Sequence, residues 1–273
     1  MGTIPIPLSY VAIALYAASL ACYLRKLFAE GRLAGRAASL LLAAALVAHY
    51  FALLQRALSI HSVPYQDIYG STSLLAWFLA LTYLGLEFFH RERAMGAFAL
   101  PLVLLLLGLD LIVTPHTAPR APARGSVFAL HVTSNILAYS AFTISFLFSV
   151  IYLIQDRLIR KHRSGALLWR LPPMEDLERM TRNGVRIGLA AMLFGITLGM
   201  IVDQRLTGQY LSLDPKVLIS FLMLACYGGY LWVARSPAWR GARASLLCAG
   251  SYFVVVFSYT VVNLYLSRFH RFF

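Results

Sequence analysis

Continuous apolar runs, separated by short polar and basic segments, dominate the chain. Eight can be delimited, at 8–24, 37–57, 71–89, 95–113, 127–154, 186–203, 216–234 and 244–266. A helix needs roughly 20 apolar residues to cross the hydrocarbon layer, and each run approximates that length. Barrel strands would alternate apolar and polar positions, whereas these runs are continuous. The pattern predicts an all-α fold: a polytopic membrane helix bundle of about eight transmembrane helices, forming a single integral membrane domain over 1–273. The first run has no basic segment before it and no small-residue cleavage site, so it is read as a span and not as a removed signal.

The intervening segments orient the bundle. Loops 1, 3, 5 and 7, with Arg186 at the edge of span 6, contain 17 of the 24 Lys and Arg residues. The positive-inside rule puts these loops in the cytoplasm and both termini on the outer side. Composition agrees with a membrane protein. Only 13% of the residues are charged and 60% are hydrophobic, against about 25% charged in soluble domains. The net charge of +13 does not indicate nucleic acid, because the basic residues are confined to loops. Soluble enzymes, nucleic-acid modules and disulfide scaffolds are excluded on the same grounds. Cys22, Cys226 and Cys248 all fall within spans without a CxxC pair, so they read as apolar fillers. No Walker loop, HExxH, GxSxG or nucleotide fingerprint occurs.

Cytoplasmic loop 5, over 155–185, contains Leu171-Pro172-Pro173-Met174-Glu175-Asp176-Leu177-Glu178. Proline followed by carboxylates suits a helix N-terminus. With Leu171, Met174, Leu177 and Met180 as an apolar edge, the segment reads as a short amphipathic helix on the inner membrane surface, with a solvated connector as the alternative.

Polar groups inside spans mark helix contacts or function. Ser134, Ala138, Ala141, Ser145 and Ser149 make a small-residue stripe on span 5, and Gly184, Gly188, Gly195 and Gly199 make another on span 6. His131 opens span 5 about one turn below the outer surface. On span 8, Tyr252, Tyr259 and Asn263 share a face that His270 continues. The topology puts His131 and His270 at one membrane level, where two imidazoles can ligate one haem iron from opposite sides. Loop 6 adds Tyr210, Asp214 and Lys216 on the same side, with Asp214 as N-cap and Pro215 as first residue of span 7. Arg120, Arg124, Arg205, Lys216, Arg268 and Arg271 supply cations at that level for an amphiphile with carboxylates, such as haem. His49, in span 2, reads as either a satisfied packing histidine or a buried ligand.

These residues resemble the cytochrome c assembly family of membrane proteins, which includes the CcsA/ResC, CcmC and HemX-type proteins. Pro64, Asp67, Tyr69, Gly70, Ser71 and Ala76-Trp77 resemble the family's Pro-x-x-Asn-x-Tyr-Glu-Ser segment and the span after it. Leu130-His131-Val132 resembles the segment with the first outer haem-ligating histidine. Leu171-Pro172-Pro173 resembles the inner-loop motif. Asp214-Pro215-Lys216 resembles the core of the tryptophan-rich outer haem segment, and Trp239-Arg240-Gly241 the turn before the last span. Asn263 through His270 resembles the end of that span, with the second outer histidine. The chain departs from the pattern at Leu211, Leu213 and Ile219, where the family has tryptophans, and at Val217, where it has glutamate. Trp232 stands where the synthase subunit has a histidine, so an inner haem site using that position is not expected.

The resemblance implies a multi-pass protein of the bacterial inner membrane that handles non-covalent b-type haem. His131 and His270 would be the metal ligands, and Asp214, Lys216, Tyr210 and Asn263 would line the cofactor site. The implied role is haem presentation for c-type cytochrome maturation, with a ResB-type membrane partner and an apocytochrome c as client. The alternative is a HemX-type membrane regulator or accessory subunit without synthase activity. A transporter is disfavoured, because Glu87, Asp110 and Asp203 lie near span ends and not at the midplane.

Overall fold

Each apolar run becomes an α-helix in the computed structural model, which describes residues 7–29, 32–60, 68–112, 125–162, 170–208, 210 and 215–260. The elements are α1 (Pro7–Ala29), α2 (Arg32–Ile60), α3 (Ile68–His90), α4 (Gly96–Ile112), α5 (Gly125–Arg160), α6 (Met174–Thr207), α7 (Pro215–Val233) and α8 (Ala242–Phe257). Seven are long and apolar enough to cross a membrane, and the chain is a multi-pass membrane protein. The eighth, α4, offers only the shorter apolar stretch Gly96–Leu109 and carries Pro101 in its interior, which removes one helical hydrogen bond. Proline stands at the first position of α7, as its sequence predicts. Helices α3 and α5 are followed by left-handed residues, Arg91 (φ 58°) and His162 (φ 50°), instead of the usual glycine.

The chain groups into two compact units, residues 1–119 with 162–173 and residues 120–161 with 174–273. In the first unit, α1 packs on α2 and α4, and α3 packs on α2 and α4. Its fully buried side chains include Tyr16, Tyr23, Tyr83, Leu42, Leu79 and Leu100. In the second unit, α5 packs on α6 and α8, and α7 packs on α6 and α8. There Phe142 stacks on Tyr227 with centroids 3.8 Å apart and planes within 2°.

The segment around Met174 differs from its sequence reading. It is not a separate surface helix. Glu175 and Asp176 do lie in a first helical turn, but that turn belongs to α6, which runs unbroken to Thr207. Leu177 and Met180 are fully buried instead of lying on a membrane surface. The physical reason is that α5 also outlasts its apolar run, reaching Arg160. The apolar edge therefore has a protein neighbour, and burial there removes it from water. At 1.5 Å per residue, α5 and α6 are each roughly 50 Å long, well beyond the ~30 Å hydrocarbon core.

The glycine stripe of α6 packs on α5, and it meets the small-residue stripe there at Gly184. A Cβ at Gly188 would lie 2.5 Å from the Phe142 ring, and one at Gly195 would lie 2.9 Å from the Asn135 amide. A Cβ at Gly184 would overlap Ser145 Oγ, which donates to the Ala141 carbonyl at 2.8 Å and approaches the Thr181 carbonyl at 3.3 Å. Lipid tails are as apolar as leucine, so close backbone approach and interhelical hydrogen bonds hold such a pair together.

Candidate functional site

His131 lies near the start of α5 and turns its ring toward α6. Its Nδ1 is 2.7 Å from the Gly195 carbonyl oxygen. A carbonyl has no proton to give, so Nδ1–H is the donor, and the lone pair of the neutral ring then resides on Nε2. That is the tautomer that an Nε2 metal ligand requires. Asn135, one turn along α5, donates its amide to the His131 carbonyl at 2.8 Å. Its nitrogen also stands 3.4 Å from Nδ1. Because Nδ1 carries a proton, that second approach is a contact and not a hydrogen bond. The Phe128 ring lies 6.2 Å from the imidazole, tilted by 37°. The charges of Lys216 and Asp203 both act on the imidazole.

The face of α8 that bears Tyr252, continued by Tyr259 in the turn after it, packs on α5. Tyr252 stacks on Phe146 at 4.4 Å and meets Thr143 Oγ1 at 3.0 Å through its hydroxyl. Tyr259 sets its ring edge-on to Tyr139 at 6.3 Å. Seven residues forward on α8 thus match seven back on α5, and the pairing runs toward His131. Among the other expected site residues, Lys216 is the second residue of α7 and is half-buried, and Tyr210 is 61% exposed. His270, Asn263 and Asp214 lie outside the described residues. Trp232, at the position of the family's span histidine, is exposed on α7. The described residues contain no group of three or more His, Cys, Asp or Glu side chains placed to share a metal ion.

Two buried polar clusters occupy the first unit. His49 is satisfied on both ring nitrogens, by Tyr16 Oη at 3.3 Å and Ser73 Oγ at 3.0 Å. It ties α1, α2 and α3 together, which favours the packing reading of the sequence over the ligand reading. The second cluster was not visible in the sequence. Glu87 is only 3% exposed and accepts hydrogen bonds from Tyr23 at 2.5 Å, from Tyr83 at 2.8 Å and from Ser39. Arg93 Nε stands 3.7 Å away. The only sequence trace of this cluster is the four-residue spacing of Tyr83 and Glu87, which puts them on one helical face.

Fold and site together define a multi-pass helical membrane protein in which α6 holds an imidazole through a backbone carbonyl. Residues 65–270 match the Cytochrome C assembly protein family, and the chain belongs to that family. It is 28% identical to Protein HemX of Brevibacillus brevis over 224 residues, covering 81% of this chain and 82% of that protein. It is 26% identical to the cytochrome c biogenesis protein CcsA of Heterosigma akashiwo, covering 73% of each. Protein HemX of Bacillus subtilis is 32% identical over 146 residues, covering 54% of this chain and 52% of that protein.

Proposed function

We propose that this chain is a haem-handling protein of cytochrome c assembly. It presents haem at the outer face of a bacterial inner membrane through His131 and His270, with both termini on that side. The observation that supports this reading best is the hydrogen bond from His131 Nδ1 to the Gly195 carbonyl, which leaves Nε2 as the lone-pair nitrogen. The residues fit the group. Imidazole is a haem axial ligand, and the ammonium of Lys216, at the start of α7, suits a propionate. The Tyr252 and Tyr259 contacts run toward His131 along α5, which favours a site shared between α5 and the chain beyond Tyr259. Haem would supply the iron and the vinyl groups that react with cysteine thiols of an apocytochrome c. His131 would set the ligation geometry and orient the ring, Lys216 would orient the carboxylates, and a ResB-type protein would complete the assembly.

A second reading is a HemX-type accessory or regulatory protein without synthase activity. It is favoured by the relatives named HemX and by Leu211, Leu213 and Ile219, which cannot stack on a porphyrin as tryptophan does. The test is haem content of the purified full chain. Haem in the wild type, lost in both His131→Ala and His270→Ala, supports presentation. A colourless wild type that stays colourless with added hemin leaves the accessory reading.

A further inference from the structure

The contact between His131 and α6 is built more specifically than helix packing requires. In an α-helix the carbonyl of residue 195 points toward residue 199 and accepts its N–H. A ring nitrogen from a neighbouring helix reaches that oxygen's second lone pair only by passing the side chain at 199. Residue 199 is glycine. A Cβ there would lie 2.7 Å from His131 Cε1 and 2.9 Å from Nδ1, too close for either atom. Residue 195 is also glycine, and the space it leaves is filled by the Asn135 amide, which bonds the His131 main-chain carbonyl and packs 3.4 Å from Nδ1 of the ring. The two glycines thus serve different ends: Gly199 admits the imidazole, and Gly195 accepts its proton and admits Asn135. Elsewhere in the stripe the pattern is plainer, since Gly188 only makes room for the Phe142 ring.

We infer that Gly199, the Gly195 carbonyl and Asn135 form a positioning device that fixes the tautomer and orientation of His131 and raises the basicity of its Nε2 toward a haem iron. This rests on the reading of His131 as a haem ligand. An Nδ1–H bond to a carbonyl pushes electron density toward Nε2, which favours the ferric state. Breaking the bond weakens ligation and moves the reduction potential in the positive direction. Loss of an outer-shell partner of this kind costs about 10–100-fold in affinity.

The test uses the full-length protein in detergent, loaded with hemin. Affinity is read by absorbance titration and potential by spectroelectrochemistry. Wild type, His131→Ala, Gly199→Ala and Gly188→Ala are compared. Gly188→Ala inserts a Cβ 2.5 Å from Phe142 and controls for helix separation without touching His131. The expected result is a 10–100-fold weaker affinity and a more positive potential for Gly199→Ala, with Gly188→Ala at the wild-type potential. A Gly199→Ala protein with wild-type affinity and potential overturns the inference, as does an equal shift in Gly188→Ala. If His131→Ala keeps the wild-type spectrum, the ligand assignment itself fails and the inference falls with it. Should Gly199→Ala fail to fold, Asn135→Ala carries the test, because it opens space instead of filling it. It must shift the potential in the same direction, and an unchanged potential refutes the device.

Discussion

Replacing Glu87 with alanine tests the account of how the first unit is held together. The carboxylate collects hydroxyls from three helices, Tyr23 of α1, Ser39 of α2 and Tyr83 of α3, and Arg93 lies in the turn that follows α3. Each hydrogen bond to a charged acceptor contributes about 1.5–3 kcal/mol. The three do not add in full. Ser39 can fall back on the Gly35 carbonyl at 3.0 Å, and Tyr83 on the Arg93 carbonyl at 3.4 Å. Tyr23 is wholly buried and loses a 2.5 Å bond. The net loss is therefore roughly 3–5 kcal/mol, made up of the lost bonds to a charged acceptor and the buried Tyr23 hydroxyl left without its acceptor. Glu87→Gln is milder, about 1 kcal/mol, because an amide oxygen can serve both tyrosines while the amide nitrogen faces Ser39, whose proton then goes to Gly35. The assay is unfolding free energy in mixed detergent micelles, measured for Glu87→Ala, Glu87→Gln, Tyr23→Phe and the Tyr23→Phe/Glu87→Ala pair. A coupling of at least about 1 kcal/mol between the last two substitutions is expected for groups in one network. Additive effects, or equal losses for Ala and Gln, would refute the reasoning.

His49→Ala leaves Tyr16 and Ser73 without their partner and lowers the thermal midpoint, yet leaves any bound haem unchanged, which absorbance and melting curves on one sample can check. Gly188→Ala overpacks the Phe142–Tyr227 stack and destabilises the second unit by about 1–3 kcal/mol, measured by the same micelle titration. Gly241 has φ 82°, and a Cβ there would lie 2.7 Å from Tyr152 Oη. Gly241→Ala is thus strained in its backbone as well as its contact, and adding Tyr152→Phe restores only part of the lost thermal stability. Arg179 pairs with Glu175 on the surface, and Arg179→Ala is expected to leave the melting curve unchanged.

The spans were legible in the sequence because twenty consecutive apolar residues admit few other structures. Their ends were less so. Hydropathy stops at the membrane edge, whereas α5 and α6 continue because each covers the other, a tertiary effect with no local signal. The serine and glycine stripes were readable as packing surfaces, but not that the glycines of α6 take Phe142, Asn135 and His131 of α5 as well as Ser145. Spacing along one chain places a residue on a helical face without saying which helix lies opposite. Glu87 shows the same limit. Two of its partners come from other helices, so the sequence around it marks only Tyr83.

The way α5 and α6 are joined also bears on how the chain is made. Synthesis delivers α5 to the membrane first, carrying the His131 imidazole, a polar group costly in lipid, whereas the Asn135 amide and the Ser145 hydroxyl already have acceptors on α5 itself. The His131 ring finds its acceptor on α6, at Gly195, and Ser145 gains a second one there, at Thr181. Asn135 is boxed in by Gly195 of the same helix. Until α6 arrives, α5 is poorly suited to leave the insertion machinery for open bilayer. The two helices would then enter the membrane as one hairpin, and a nascent chain ending before Gly195 would be retained at the insertion site or removed by quality control.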